Sequence, residues 1–186
     1  MRKPGLSHVV VGVVLLCAPF VVLAASYRLL PSELPVMQAL IAGSANMASK
    51  SLFTVFRVSL MNFADGLMAV VMLMRSIDFT IPERRVAYSK LFSTLLLTVG
   101  LKSDFEAMEF TALVAPTALA RYSHFLGFAT LTIVLVGIAV AFIRGRKAPL
   151  PWPELHLALD DKLILGGLFG LHLVIVLLSF LILRRP

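Results

Sequence analysis

The sequence predicts an all-α integral membrane protein: a bundle of four transmembrane helices, five possible, with one interfacial amphipathic helix. Two observations carry this. Four apolar runs, at 9–27, 52–74, 122–143 and 163–183, each approach the ~20 residues that cross a hydrocarbon core of ~30 Å. Hydrophobic residues make up 59% of the 186-residue chain and mean hydropathy is +0.94, above the roughly half-apolar composition of a soluble domain. Charged residues are only 15% and lie mostly between the runs, so the expectation is a single membrane domain over 1–186.

The first run follows Arg2 and Lys3, as a secretory signal would, but it exceeds the usual 7–15 residues of a signal core. A retained helix is expected, bent at Pro19 because proline removes a backbone donor. Ser26-Tyr27-Arg28 closes it with an interfacial aromatic and a snorkelling cation. Leu16 stands before Cys17 where a lipoprotein signal needs a small residue, and this single cysteine forms no intrachain disulfide.

A proline-bearing loop leads to the second run. The following stretch at 84–112 places Arg84, Arg85 and Lys90 before an apolar run of 11 residues, 91–101, and then Lys102, Asp104, Glu106 and Glu109. Eleven apolar residues are too few to span, so an interfacial helix is expected, with a fifth span as the alternative. Charge does not separate the two. With the N-terminus cytoplasmic, either topology leaves 10 of 17 Lys/Arg inside, as Arg144, Arg146, Lys147 and Lys162 exchange for Lys102, Arg121, Arg184 and Arg185. The cluster Arg144-Gly145-Arg146-Lys147 favours five spans; the shortness of 91–101 favours four, which is the expectation adopted. Trp152, within Pro149-Leu150-Pro151-Trp152-Pro153, is an interfacial anchor, and Asp160 and Asp161 suit the N-terminus of the last helix.

The net charge of +7 does not indicate nucleic acid, because the basic residues flank membrane runs and form no patch with interleaved aromatics. They fit cytoplasmic loops beside anionic lipid, so the expected localisation is a bacterial inner (cytoplasmic) membrane.

Between the first two runs the chain reads Leu30-Pro31-x-x-Leu34-Pro35-Val36, a small-residue stretch with Gly43, then Ala48-Ser49-Lys50. This resembles the bacterial membrane domain of unknown function at the start of Sdp-type immunity proteins, whose loop is roughly Leu-Pro-x-x-Ile-Pro-x-His-Trp, a Gly, an Asp and a Ser-Lys. Pro31, Pro35, Gly43, Ser49 and Lys50 match; Met37 and Gln38 replace the His and Trp, and Ala45-Asn46-Met47 replaces the Asp region. The resemblance covers about the first third of the chain and implies a link to toxin immunity or signalling.

Asp65 is the leading candidate for chemistry. An ionised carboxylate inside a span is costly, so it should face the bundle or a water pocket, or be protonated. Arg57, Met61, Asp65, Met68 and Met72 recur at helical spacing with Asn62 beside them, a stripe fit for proton or cation passage, for a partner, or for structural contacts. Near the same depth lies His172, the expected neighbour of Asp65. His8 and His124 begin two helices, and if those helices ran parallel the pair would share a membrane face and could hold haem b. Ordinary helix-end histidines are the expectation, and no cofactor is predicted. The methionines with Cys17 lack the tight pairs of a copper(I) site. Gly166-x-x-x-Gly170 permits close approach of another helix.

No phosphate loop, His-Glu-x-x-His or Gly-x-Ser-x-Gly occurs, and the loops are too short for a catalytic domain, so an enzyme is not expected. Three functions remain: an immunity, sensory or accessory subunit acting through other membrane subunits or self-association; a small proton- or cation-coupled transporter using Asp65; and a b-type cytochrome using His8 and His124.

Overall fold

A computed structural model describes residues 6–35, 47–76, 82–114, 121–145 and 159–183. Five long helices account for most of them: α1 (Leu6–Ser26), α2 (Leu52–Ser76), α3 (Pro82–Val114), α4 (Ser123–Gly145) and α5 (Leu159–Leu183). Three stretches are long and apolar enough to cross a membrane, Ser7–Leu29, Leu52–Ser76 and His124–Arg144; α5 holds a shorter apolar stretch, Lys162–Leu178. Gly43, Met37, Gln38, Arg146, Lys147 and Trp152 lie outside the described residues.

α1 continues through Pro19, which is fully buried, and ends in a single 3₁₀ turn, Tyr27–Leu29. Its exposed carbonyls are met by Lys50, whose Nζ donates to Leu30 O at 2.7 Å and lies 5.2 Å from the Tyr27 ring centroid. A cation there complements the C-terminal dipole and the aromatic face. The resembling loop motif forms a two-stranded antiparallel ladder, β1 (Glu33–Pro35) with β2 (Met47–Ser49), in which Glu33 faces Ser49 and Pro35 faces Met47. Ser51 caps α2, accepting from the Thr54 backbone N–H at 3.1 Å, and so satisfies one of the orphan donors of the first turn.

The segment expected as an interfacial helix or fifth span is one helix of 33 residues, α3, opening at Pro82, where the missing N–H costs nothing. It packs against α1, α2 and α4, which is a bundled arrangement and not that of a helix laid along a surface. Small residues set these crossings. A Cβ on Gly100 would lie 2.8 Å from Leu15 Cβ, and one on Gly12 would overlap Leu96. Cβ atoms on Gly66 and Gly137 would overlap Leu16 and Thr98. The polar residues of α3 are largely satisfied within the helix: Thr94, Thr98 and Thr111 donate to the carbonyls of Lys90, Thr94 and Ala107 at 2.7, 2.8 and 2.8 Å.

These contacts fix the helix directions. Gly12 meets Leu96 and Leu15 meets Gly100, so α1 and α3 are parallel. Leu16 meets Gly66, while Val55 shares a core with Leu23 and Ala107, so α2 is antiparallel to both. Gly127 sits at Glu109, Gly137 at Thr98, and Arg144 bonds Thr94, so α4 is antiparallel to α3. α5 packs chiefly on α2.

Candidate functional site

The antiparallel course of α1 and α4 corrects the geometry assumed for a haem. His8 opens on the same cleft as Glu83, Lys90 and Arg144, at the C-terminal end of α4, whereas His124 begins that helix. Twenty residues of helix separate His124 from Arg144, about 30 Å, and both histidines are exposed. The two do not share a face, because α3 runs the length of the bundle between them and reverses the sense of α4.

The expected neighbour of Asp65 is in place. His172 Nδ1 on α5 lies 2.8 Å from Asp65 Oδ1 on α2, with side chains 25% and 35% exposed. Nδ1 is nevertheless without a hydrogen-bond partner among the described residues, so the two groups are at ion-pair distance without an aligned N–H···O bond.

One turn earlier on α2, Asn62 looks the other way, into α3. Its Nδ2 donates to Glu106 Oε2 at 2.7 Å, while Lys102 Nζ donates to Asn62 Oδ1 and to Glu106 Oε2, both at 2.9 Å. Lys102 and Glu106 stand at i and i+4, a spacing that brings side chains together on one helix face. Glu106 is 13% exposed, Lys102 30%. Both fall within 84–112, the stretch expected as an interfacial helix or fifth span, and their spacing of four is the sequence signal for the pair. Ser103, fully buried between them in sequence, carries a hydroxyl with no partner among the described residues.

The stripe Arg57, Met61, Asp65, Met68 and Met72 does not face a single neighbour. Met72 packs on the core formed by Leu16, Leu73, Tyr88, Phe92 and Leu96. Asp65 meets α5, and Arg57 is buried beside a cavity bounded by α1, α2 and α3. Gly166 and Gly170, by contrast, are open: a Cβ on either would meet nothing within 4 Å. Pro31, Ser49 and Lys50 belong to the ladder region, where Lys50 also donates its backbone N–H to Ser32 O at 2.7 Å. Cys17 is exposed on α1, and among the described residues no group of three His, Cys, Asp or Glu side chains is arranged to hold a metal.

Depth unites the two polar sets. Gly66, next to Asp65, and Gly100, two residues before Lys102, meet α1 at Leu16 and Leu15, within about 5 Å of the middle of the apolar stretch Ser7–Leu29. His172 is likewise central in α5. Asp65, His172, Asn62, Lys102 and Glu106 therefore occupy one band across three helices, halfway along the bundle.

Compared with known proteins, the chain matches no family model, no curated protein and no solved structure.

Proposed function

We propose that the protein is a small proton transporter of the bacterial inner membrane, its N-terminus cytoplasmic, in which all five helices cross the bilayer and Asp65 with His172 takes up and releases the proton. The observation that supports it is the mid-depth band: a carboxylate and an imidazole at 2.8 Å, one helical turn from an Asn–Lys–Glu cluster. Ionisable groups at that depth are expensive, and chains of Asp, Glu and His are the chemistry of proton relays. Hydronium on one side gives its proton to Asp65 Oδ1 and leaves as water. The carboxyl passes it to Nδ1 of neutral His172 while Nε2–H gives its own proton to water on the other side. Return of the ring to its starting tautomer leaves both groups ready for the next. The antiparallel helices gather Arg75, Arg84, Arg85, Lys90 and Arg144 at the end where α1 begins, which supports the cytoplasmic assignment of that end. Infrared difference spectra between acid and neutral pH test the pairing. A protonated-carboxyl band that disappears in Asp65→Asn is expected; identical spectra for the two proteins would reject Asp65 as the proton acceptor.

A second reading, a subunit acting through contacts with other membrane proteins or its own copies, is favoured by the open face of α5. Gly166, Gly167 and Gly170 leave backbone uncovered, the condition for close approach of another helix. It is also the reading closest to the immunity-type resemblance. Gly166→Leu is accommodated by the open space, so melting should stay within ~2 °C, the shift of well under 1 kcal/mol expected of a surface change. Cross-linking into dimers or larger species should fall several-fold; unchanged cross-linking would exclude this face as the contact.

A further inference from the structure

We infer that Arg57 forms a binding site for one small monovalent anion of halide size, a site separate from the Asp65–His172 pair. Arg57 is 6% exposed, and its Nη1 is buried without a hydrogen-bond partner among the described residues. The guanidinium lines a cavity of about 20 Å³, walled by Leu23 and Phe110 and bordered by Thr54, Ser59 and Glu106. That is room for a single water-sized guest.

The local charge decides what the guest is. Arg57 and Glu106 both border the cavity, and that carboxylate is already held by Lys102 and Asn62 at 2.9 and 2.7 Å. Arg57 is left buried with its Nη1 unmatched among the described residues. A guanidinium taken out of water without a counter-ion is costly, and a monovalent anion offsets it where a neutral water supplies only a dipole. The hydroxyl of Thr54 is committed to Ser49 O at 3.1 Å, so the donors bordering the cavity are Arg57 and Ser59. Glu106 opposes the anion and so limits its affinity; it also bars larger or multiply charged ions, which the volume excludes in any case. Arg57 lies roughly 10 Å from the middle of α2, toward its N-terminal end, and Glu106 is where its cavity adjoins the mid-depth band.

Equilibrium binding of radiolabelled chloride to the full chain in detergent, with gluconate as the replacing anion, tests the site. The expected result is saturable binding at about one ion per chain, with a parallel rise in Tm in chloride or bromide and none in gluconate. Arg57→Gln should weaken binding at least tenfold, about the loss of one charge-assisted contact. Glu106→Gln, which removes the opposing charge, should tighten it. Wild-type protein that binds no chloride, or whose Tm is indifferent to halide, would overturn the assignment and leave a water in the cavity. Equal binding by Arg57→Gln would overturn it too, and the wild-type measurement stands even if that variant does not fold.

Discussion

Asp65→Asn is expected to cut proton flux into reconstituted vesicles at least tenfold while the helices stay assembled. An amide has almost the shape of the carboxyl it replaces but cannot take up a proton at any relevant pH, so the step to His172 Nδ1, 2.8 Å away, has no donor. Stability should change little, because the Asp65–His172 contact is a third exposed and unaligned, and removing such a contact costs at most about 1 kcal/mol. His172→Gln should fall in the same direction. A pH-sensitive dye inside the vesicles reads the flux, and a melting curve on the same sample reads the fold. Wild-type flux in Asp65→Asn would remove Asp65 from the pathway.

The second large effect is on stability. Lys102→Met leaves Glu106, 13% exposed, without its cation and with only Asn62 donating to Oε2. Deleting one partner of a fully buried ion pair costs about 3–5 kcal/mol, and this half-buried pair should lose about 2–3 kcal/mol, because the remaining charge stays partly desolvated. For a chain of this size that corresponds to a fall in Tm of roughly 10 °C. The double variant Lys102→Met with Glu106→Gln should recover most of the loss, since the uncompensated charge is gone and Asn62 still has an amide partner. If the two substitutions destabilised additively, Lys102 and Glu106 would not be energetically coupled within the cluster that Asn62 joins to α2.

Three of the five helices are legible in the sequence because they are apolar over a bilayer's width, and α5 is legible as a shorter apolar run. α3 is not, and its residues show why. Hydropathy scores each side chain as though it met lipid, but Thr94, Thr98 and Thr111 spend their hydroxyls on their own helix carbonyls. Lys102 and Glu106 spend their charges on each other and on Asn62. A helix lined by neighbours on several sides can be this polar without facing hydrocarbon. The same helix explains why His8 and His124 lie at opposite ends: one more antiparallel helix between α1 and α4 reverses the direction of every later one. Asp65 and His172 were legible because depth within a long apolar run follows from counting residues, and the structure brings the two together. The Lys102–Asn62–Glu106 cluster was not, because it joins residues 40 and 44 apart and needs the helix directions first.

Protons crossing at the mid-depth band are tested most directly by proton flux through the wild-type protein in vesicles under an imposed pH gradient, with potassium and valinomycin clamping the potential. Flux above that of empty vesicles, proportional to the amount of protein and lost in Asp65→Asn, is the predicted result. Vesicles that hold their gradient as well with the protein as without it would contradict the account and leave the open glycine face of α5 as the basis of function.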